Sequence, residues 1–508
     1  MHLPSCKLLL LTSLLVWSLS LSSLGLPIHV DGNATGANDG STWANAFTDL
    51  SSALNESAKD VEIWVAQGTY KVGPSGSDRA LAFTFANRNV LVYGGFTSGM
   101  PSLTNRNPTL HATILSGDFS GDDTPAWGNR GDNAYNVVRV RSDSAVPLGD
   151  VLDGFIIRGG MADAGDGSPY SYGGGISVYN SANLRIANCV IADNAADGSG
   201  GLWLRRSANA TVENCVFSGN SANLSGSHNY GSGGAGVAAQ AGEYSVHFIG
   251  CRFVGNYSVE YGGAFYSTHI IITNDFRNCL FVGNLSSEAG GGLMLRNQAS
   301  PVINCTFSRN APSAIWSQGA NPVATNAILW GDDSEITGFA LMQYTYSDVM
   351  SSGGGGTSNL DVNPLFKVDT SATWTAAGVY NPATCLTQLT DSQASWTPGA
   401  LAGGTVNPDT SQPLHYYIAT NTVHTIFVWG DASVGDNGDT YSLNDWHLQT
   451  NSPCVDRGNP GMDWSQEPDY PTGHIDMGAY GNTREAASTN PVPSNIPPLP
   501  TGMRFIVR

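Results

Sequence analysis

One octapeptide recurs along the middle of the chain: ENCVFSGN at 213–220, IGCRFVGN at 249–256, RNCLFVGN at 277–284 and INCTFSRN at 303–310, with a looser ANCVIADN at 187–194. Such a repeat constrains a fold severely, because each copy must bury its apolar face against the next. Aligned, one position reads Gly154, Asn188, Asn214, Gly250, Asn278, Asn304 and Asn326. Gly and Asn are the residues that tolerate a left-handed backbone at a tight corner. The next position reads Phe155, Cys189, Cys215, Cys251, Cys279, Cys305 and Ala327. Two further on come Ile157, Ile191, Phe217, Phe253, Phe281, Phe307 and Leu329. Apolar alternation after a corner marks a short strand with one buried face.

A second element lies between these strands. GGGISV (173–178), GGLWL (200–204), GGAGVA (233–238), GGAFYS (262–267) and GGGLML (290–295) are Gly turns feeding another strand. Two or three strands per coil, stacked coil on coil, predict an all-β fold: a single-stranded right-handed parallel β-helix, or solenoid. The five repeat cysteines form an interior column in this arrangement. Their stacked side chains point the same way, which disfavours the disulfide dihedral, so they read as buried small hydrophobes. The column lacks the His partners and tetrahedral spacing of a zinc site. Cys385 and Cys454 lie outside it, and sequence does not fix whether they pair.

The flanks complete the organisation. Residues 1–25 read as a signal peptide, with MHLPSCK as the positive start, an apolar run, and small residues at Ser23-Leu24-Gly25. That predicts export to the cell surface or the extracellular space. The β-helix is expected over 26–384, headed by a helical cap at 41–59 with Ala44, Phe47, Leu50 and Leu54 on one face. Residues 385–440 read as a strand-rich insertion, 441–485 as terminal coils that follow LDVNPLFKV (360–368), and 486–508 as a Pro-rich tail. The net charge of −19 argues against nucleic acid and demands a local basic patch or a bridging cation for any acidic ligand.

The paired FxxN and Gly-Gly-Ala elements (Phe217/Asn220, Phe253/Asn256, Phe281/Asn284 and Phe307/Asn310, with 233–235 and 262–264) resemble the repeats of the polymorphic outer membrane protein family. HVDGNATGANDGSTWANAFTDLSSAL and LDGFIIRGG look like the early coils of pectin-lyase-like bacterial proteins. SPCVDRG…HIDMGAYGNTREA is similar to the end of the choice-of-anchor Q domain. These resemblances imply the β-helix and a place at the cell surface. They specify no reaction.

Catalytic signals are sparse. Asp122-Asp123 and Asp332-Asp333 are paired carboxylates without the Gly-His-Gly or Arg-Ile-Lys companions of a hydrolase, and Arg205-Arg206 lacks a flanking acidic cluster suited to a calcium-dependent lyase. A binding surface is better marked. The outward positions of the Gly-Gly strands read Ser177, Trp203, Val237, Tyr266, Met294 and Trp316, with Tyr179, Arg205, Thr268, Arg296 and Gln318 just beyond. Trp203, Tyr266 and Trp316, flanked by Arg205 and Arg296, form a candidate carbohydrate platform. The blander alternative is that loops fold over these rings and bury them. Two acidic loops, with Asp118, Asp122, Asp123 and Asp132 in one and Asp431, Asp436 and Asp439 in the other, suit Ca²⁺. The expected function is adhesion or polysaccharide binding at the cell surface, with a polysaccharide or surface glycan, or a surface protein, as partner. A lyase or hydrolase acting on acidic polysaccharide is the alternative.

Overall fold

The computed structural model describes residues 25–488, apart from 57–59, 87–88, 126, 142–148, 166–167, 181–182, 207–209, 223–232, 241–243, 268–271, 297–299, 320–321, 339–341, 355, 434 and 469–472. The signal segment up to residue 24, with Cys6, and the Pro-rich tail from 489 lie outside the described residues. No described helix is long and apolar enough to cross a membrane.

The chain winds as a right-handed parallel β-helix. One coil shows the plan: strand Arg185–Ala187, a corner at Asn188, strand Val190–Ala192, the two-residue strand Ala195–Ala196, a Gly turn, and strand Leu202–Arg205. Stacking these coils produces four parallel sheets, of 11, 10, 5 and 9 strands among the described residues. They are named here, in the order of the coil, the leading, Cys-Phe, short and Gly-Gly sheets.

The aligned corner residues Gly154, Asn188, Asn214, Gly250, Asn278, Asn304 and Asn326 all have positive φ, between 50° and 87°. The repeat therefore encodes its turn by exclusion, since most side chains are strained there. Inside the coil, Phe217, Phe253, Phe281 and Phe307 stack nearly parallel at centroid distances of 5.0, 4.7 and 4.4 Å. The cysteine column is buried and unbridged. Each thiol instead points at backbone carbonyls, as Cys279 does toward Phe248 and Arg277 at 3.5 and 3.3 Å.

Polar continuity comes from the Asn that closes each octapeptide. Asn194, Asn220, Asn256, Asn284 and Asn310 are buried. Each amide Nδ2 donates to the next Asn Oδ1 at 2.9–3.1 Å, and the same oxygen accepts the backbone N–H of the preceding Asn. Asp332 ends the ladder by accepting from Asn310 Nδ2 at 2.7 Å. An amide both donates and accepts, so Asn can continue this chain of bonds in both directions; an aliphatic residue cannot.

The ends depart from expectation. The cap helix is only Leu50–Asn55, opened by the Asp49 side chain accepting from Ser52 N at 2.7 Å. Phe47, Leu50 and Leu54 are buried in the core, but Ala44 is exposed, because residues 41–49 form bends rather than helix. The insertion is larger than 385–440. A seven-stranded antiparallel sheet starts at Phe366–Thr373, which pairs with Thr440–Leu448, so two segments expected as final coils are its strands. After Leu448 the described chain forms no further strand. It runs back along the corners, where Asn278 Nδ2 donates to the carbonyls of Ala479 and Gly481. Cys385 and Cys454 are both buried and free, and do not pair.

The antiparallel module docks on the outer face of the Cys-Phe sheet. Tyr417 and Trp446 pack with Val216, Val254, Leu280 and Val282. The Gly of each VGN tripeptide makes room for it: a Cβ at Gly255 would overlap the His415 carbonyl, and one at Gly283 would lie 2.6 Å from the His415 side chain. Asn256→Ala should cost about 3 kcal/mol, because it strands buried donors and acceptors on two neighbouring coils. Phe253→Leu should cost only about 1 kcal/mol. Urea-unfolding midpoints of the two variants measure the difference.

Candidate functional site

The outer face of the Gly-Gly sheet carries most of the sequence-predicted binding residues. Its register aligns Arg139, Ser177, Trp203, Ala238, Tyr266, Met294 and Trp316 in one outward row. The expected Val237 is wrong by one residue. Val237 pairs with Leu202 and points inward, and a slip of one position in a strand exchanges the two faces. A second outward row holds Arg141, Tyr179, Arg205 and Gln240, and continues with Arg296 beside Gln318. Thr268 lies outside the described residues.

The first row is not an open platform. Trp203 is 2% exposed and Tyr266 is fully buried. The Tyr172 ring stacks on Trp203 at 4.9 Å and 16°, and Tyr261 stacks on Tyr266 at 6.1 Å and 12°. Gly198 permits the first of these covers, since a Cβ there would overlap the Tyr172 ring. Trp203 Nε1 donates to Gln240 Oε1 at 3.1 Å, and burial pushes the Tyr266 hydroxyl up to about 12. Sequence reasoning missed Tyr172 and Tyr261, which precede the Gly-Gly strands, Tyr172 in a bend and Tyr261 in isolated parallel bridges to Gly233 and Ala289.

What faces outward is a half-buried layer of Tyr172, Tyr179, Tyr261 and Trp316, bordered by arginines. Arg205 lies over Tyr179 and Trp203 at 5.9 and 5.8 Å, Arg206 over Tyr179 at 5.7 Å, and Arg296 over Tyr261 at 6.0 Å. Arg206 Nη1 also donates to Tyr179 Oη at 2.9 Å. Among the described residues, Arg139, Arg205, Arg206 and Arg296 form no ion pair with a carboxylate. Arg205, Arg206 and Arg296 lie against ring faces, and Arg139 donates to the Ala80 carbonyl and Asn136 Oδ1, so all four keep a charge that an anion can meet.

The acidic loop follows the Cys-Phe strand Thr113–Ser116. It brings carboxylate oxygens of Asp118, Asp122 and Asp132 to within 4.8 Å of one another. Lys71 Nζ donates to the Phe119 carbonyl at 3.1 Å, and Ser120 N donates to Asp132 Oδ2 at 3.0 Å. Asp123 turns the other way, toward Asn133 Nδ2 at 3.2 Å and Arg130 Nε at 4.0 Å, and burial pushes its carboxyl up to about 7. Arg130 in turn grips Asp193 through two bonds of 2.7 Å, and the same carboxylate accepts from Tyr380 Oη of the antiparallel module. This buried clamp ties loop, coil and module together. Asp431, Asp436 and Asp439 do not converge. Asp431 and Asp439 accept from neighbouring groups of their own turns.

The remaining carboxyl pairs serve the scaffold. Asp332 terminates the Asn ladder and shares a hydrogen bond with Glu335, whose carboxyl is pushed up to about 9 by burial and then by Asp332. Asp456, Glu467 and Asp476 converge near the C-terminus, but their oxygens accept backbone N–H groups of His474, Asn482, Asp456 and Ala487.

A family described as the right-handed beta helix region matches residues 167–328. Among solved structures, the chain is similar to pectate lyase Pel9A at 13% identity, with 90% of this chain and 96% of that one covered and a TM-score of 0.43. It is more distantly similar to a mutant tailspike protein of E. coli bacteriophage HK620 in complex with a pentasaccharide, at 13% identity, 78% and 89% coverage and a TM-score of 0.22. No curated protein matches the chain.

The Asp332–Glu335 pair makes a signed prediction. A carboxyl raised in the folded state contributes stability below its unfolded value of 4.5, and that contribution is lost as pH rises toward about 9. Glu335→Gln should therefore flatten the decline in melting temperature between those limits. Parallel pH profiles for the variant and the parent protein would contradict the shared proton.

Proposed function

We propose that the protein is an exported β-helix that binds an acidic polysaccharide along the outer face of its Gly-Gly sheet, at the cell surface or in the extracellular space. The observation that carries this reading is the arginine–tyrosine layer on a chain whose net charge is −19. At physiological salt, charges beyond about 8 Å are largely screened, so a local patch decides whether a polyanion binds. Arg139, Arg205, Arg206 and Arg296 supply that patch, and none of them closes an ion pair with a carboxylate among the described residues. Tyr179, Tyr261 and Trp316 offer half-buried rings for sugar faces. Trp203 and Tyr266 act one layer down, holding the covering rings flat. Strands in the sheet lie about 4.8 Å apart, so alternate coils match the repeat of a sugar chain. Adhesion follows if that chain belongs to another surface, and surface proteins are further partners on this reading.

A second reading, cleavage of an acidic polysaccharide at a separate site, draws on the acidic loop beside Lys71. Native electrophoresis through gels containing polygalacturonate, alginate or a neutral glucan separates the two. The account expects retardation in the acidic gels without clearing, weakened about tenfold by Arg205→Ala or Arg296→Ala and by Trp316→Ala. A cleared zone at the protein band selects the enzyme. Retardation unaffected by any of the three substitutions removes this face as the binding site.

A further inference from the structure

The acidic loop holds more unsatisfied oxygen than a hydrogen-bonded turn should. Asp118 is fully buried, yet its Oδ2 has no hydrogen-bond partner. Asp123 Oδ1 and Asn133 Oδ1, buried on the same loop, have none either. Buried acceptors are nearly always paired, and of these three orphans the one on Asp118 belongs to a converging trio of carboxylates, which gives it an explanation. No described Lys or Arg closes an ion pair with Asp118, Asp122 or Asp132, although their oxygens lie within 4.8 Å of one another. Three carboxylates at that separation repel unless a cation stands between them.

We infer that Asp118, Asp122 and Asp132 form a Ca²⁺ site that fixes the acidic loop against the first coils. The donor set is oxygen only, without the Cys or His ligands that zinc prefers, which suits a hard cation. It sits on a turn containing Gly121, Gly128 and Gly131, whose adaptability suits the irregular coordination of Ca²⁺ better than the octahedron of Mg²⁺. The C-terminal trio Asp456, Glu467 and Asp476 makes the contrast: both trios accept backbone N–H groups, but only the acidic loop leaves a buried carboxylate oxygen, Asp118 Oδ2, without a partner.

The site reaches beyond its ligands. Arg130 lies two residues before Asp132, and it holds Asp193 and, through that carboxylate, Tyr380 of the antiparallel module. A cation at Asp132 therefore fixes the segment that supplies the clamp. Trp127, under the Arg130 guanidinium at 4.2 Å, places an indole in the same loop.

That indole provides the readout. Tb³⁺ added to the full chain should give saturable luminescence on indole excitation, and Ca²⁺ should displace it. Asp122 is exposed, so Asp122→Asn should fold normally and still weaken Ca²⁺ competition at least ~10-fold, as should Asp118→Asn. Asp456→Asn should leave the signal unchanged. Ca²⁺ should also raise the melting temperature of the parent protein and not that of Asp122→Asn. The inference is overturned if Ca²⁺ binds Asp122→Asn and Asp118→Asn as tightly as the parent. It is equally overturned if loss of the signal follows Asp456→Asn instead, or if millimolar Ca²⁺ neither displaces Tb³⁺ nor shifts melting.

Discussion

The asparagine ladder is the interaction on which the rest of this structure depends. Each coil is too small to bury its own apolar side chains, so every strand relies on arriving in register with the strand one coil away. The ladder enforces that register, because an amide displaced by one residue loses its bonds to both neighbours and leaves them buried. Register alignment then carries the phenylalanine stack, the cysteine column and the outward rows of the Gly-Gly sheet together. Asp332 closes the ladder with a carboxylate, which can accept from Asn310 but has no further amide to pass the bond onward.

The same periodicity explains where functional features can and cannot arise. Inside the coil, positions are committed to packing. Outside, one sheet is sealed by the antiparallel module, which seats His415 on Gly255 and Gly283. The Gly-Gly sheet keeps a polar, aromatic and cationic exterior over several coils. The first coils carry a different device, the acidic loop with its orphaned oxygens and its clamp to Asp193. The two lie on different sheets, so the proposed glycan and cation sites can be perturbed separately.

Much of the fold was legible in the repeats. Gly and Asn at the corner position specify the left-handed turn, and the alternation of Cys and Phe after it names the inward face. The acidic loop was legible too, since Asp118, Asp122 and Asp132 are close in sequence and their turn brings them together. What escaped was whatever depends on contacts between distant segments. Tyr172 and Tyr261 cover Trp203 and Tyr266 from positions just before the Gly-Gly strands, outside the alternation that marks those strands. Asp193, an ordinary residue of a loose repeat, becomes the anchor for Arg130 and Tyr380 only because the chain returns more than 180 residues later. The strands Phe366–Thr373 and Thr440–Leu448 read as coils because their alternation is the same in either sheet type, and only their partners make them antiparallel.

The most direct test of the central claim is hydroxyl-radical footprinting of the full chain with and without an acidic oligosaccharide. The account predicts that the ligand protects Tyr179, Tyr261 and Trp316 from oxidation and leaves Trp127 and the exposed residues of the antiparallel module unchanged. Protection confined to the acidic loop around Trp127, with Tyr179 and Trp316 oxidised as in the free protein, would contradict it.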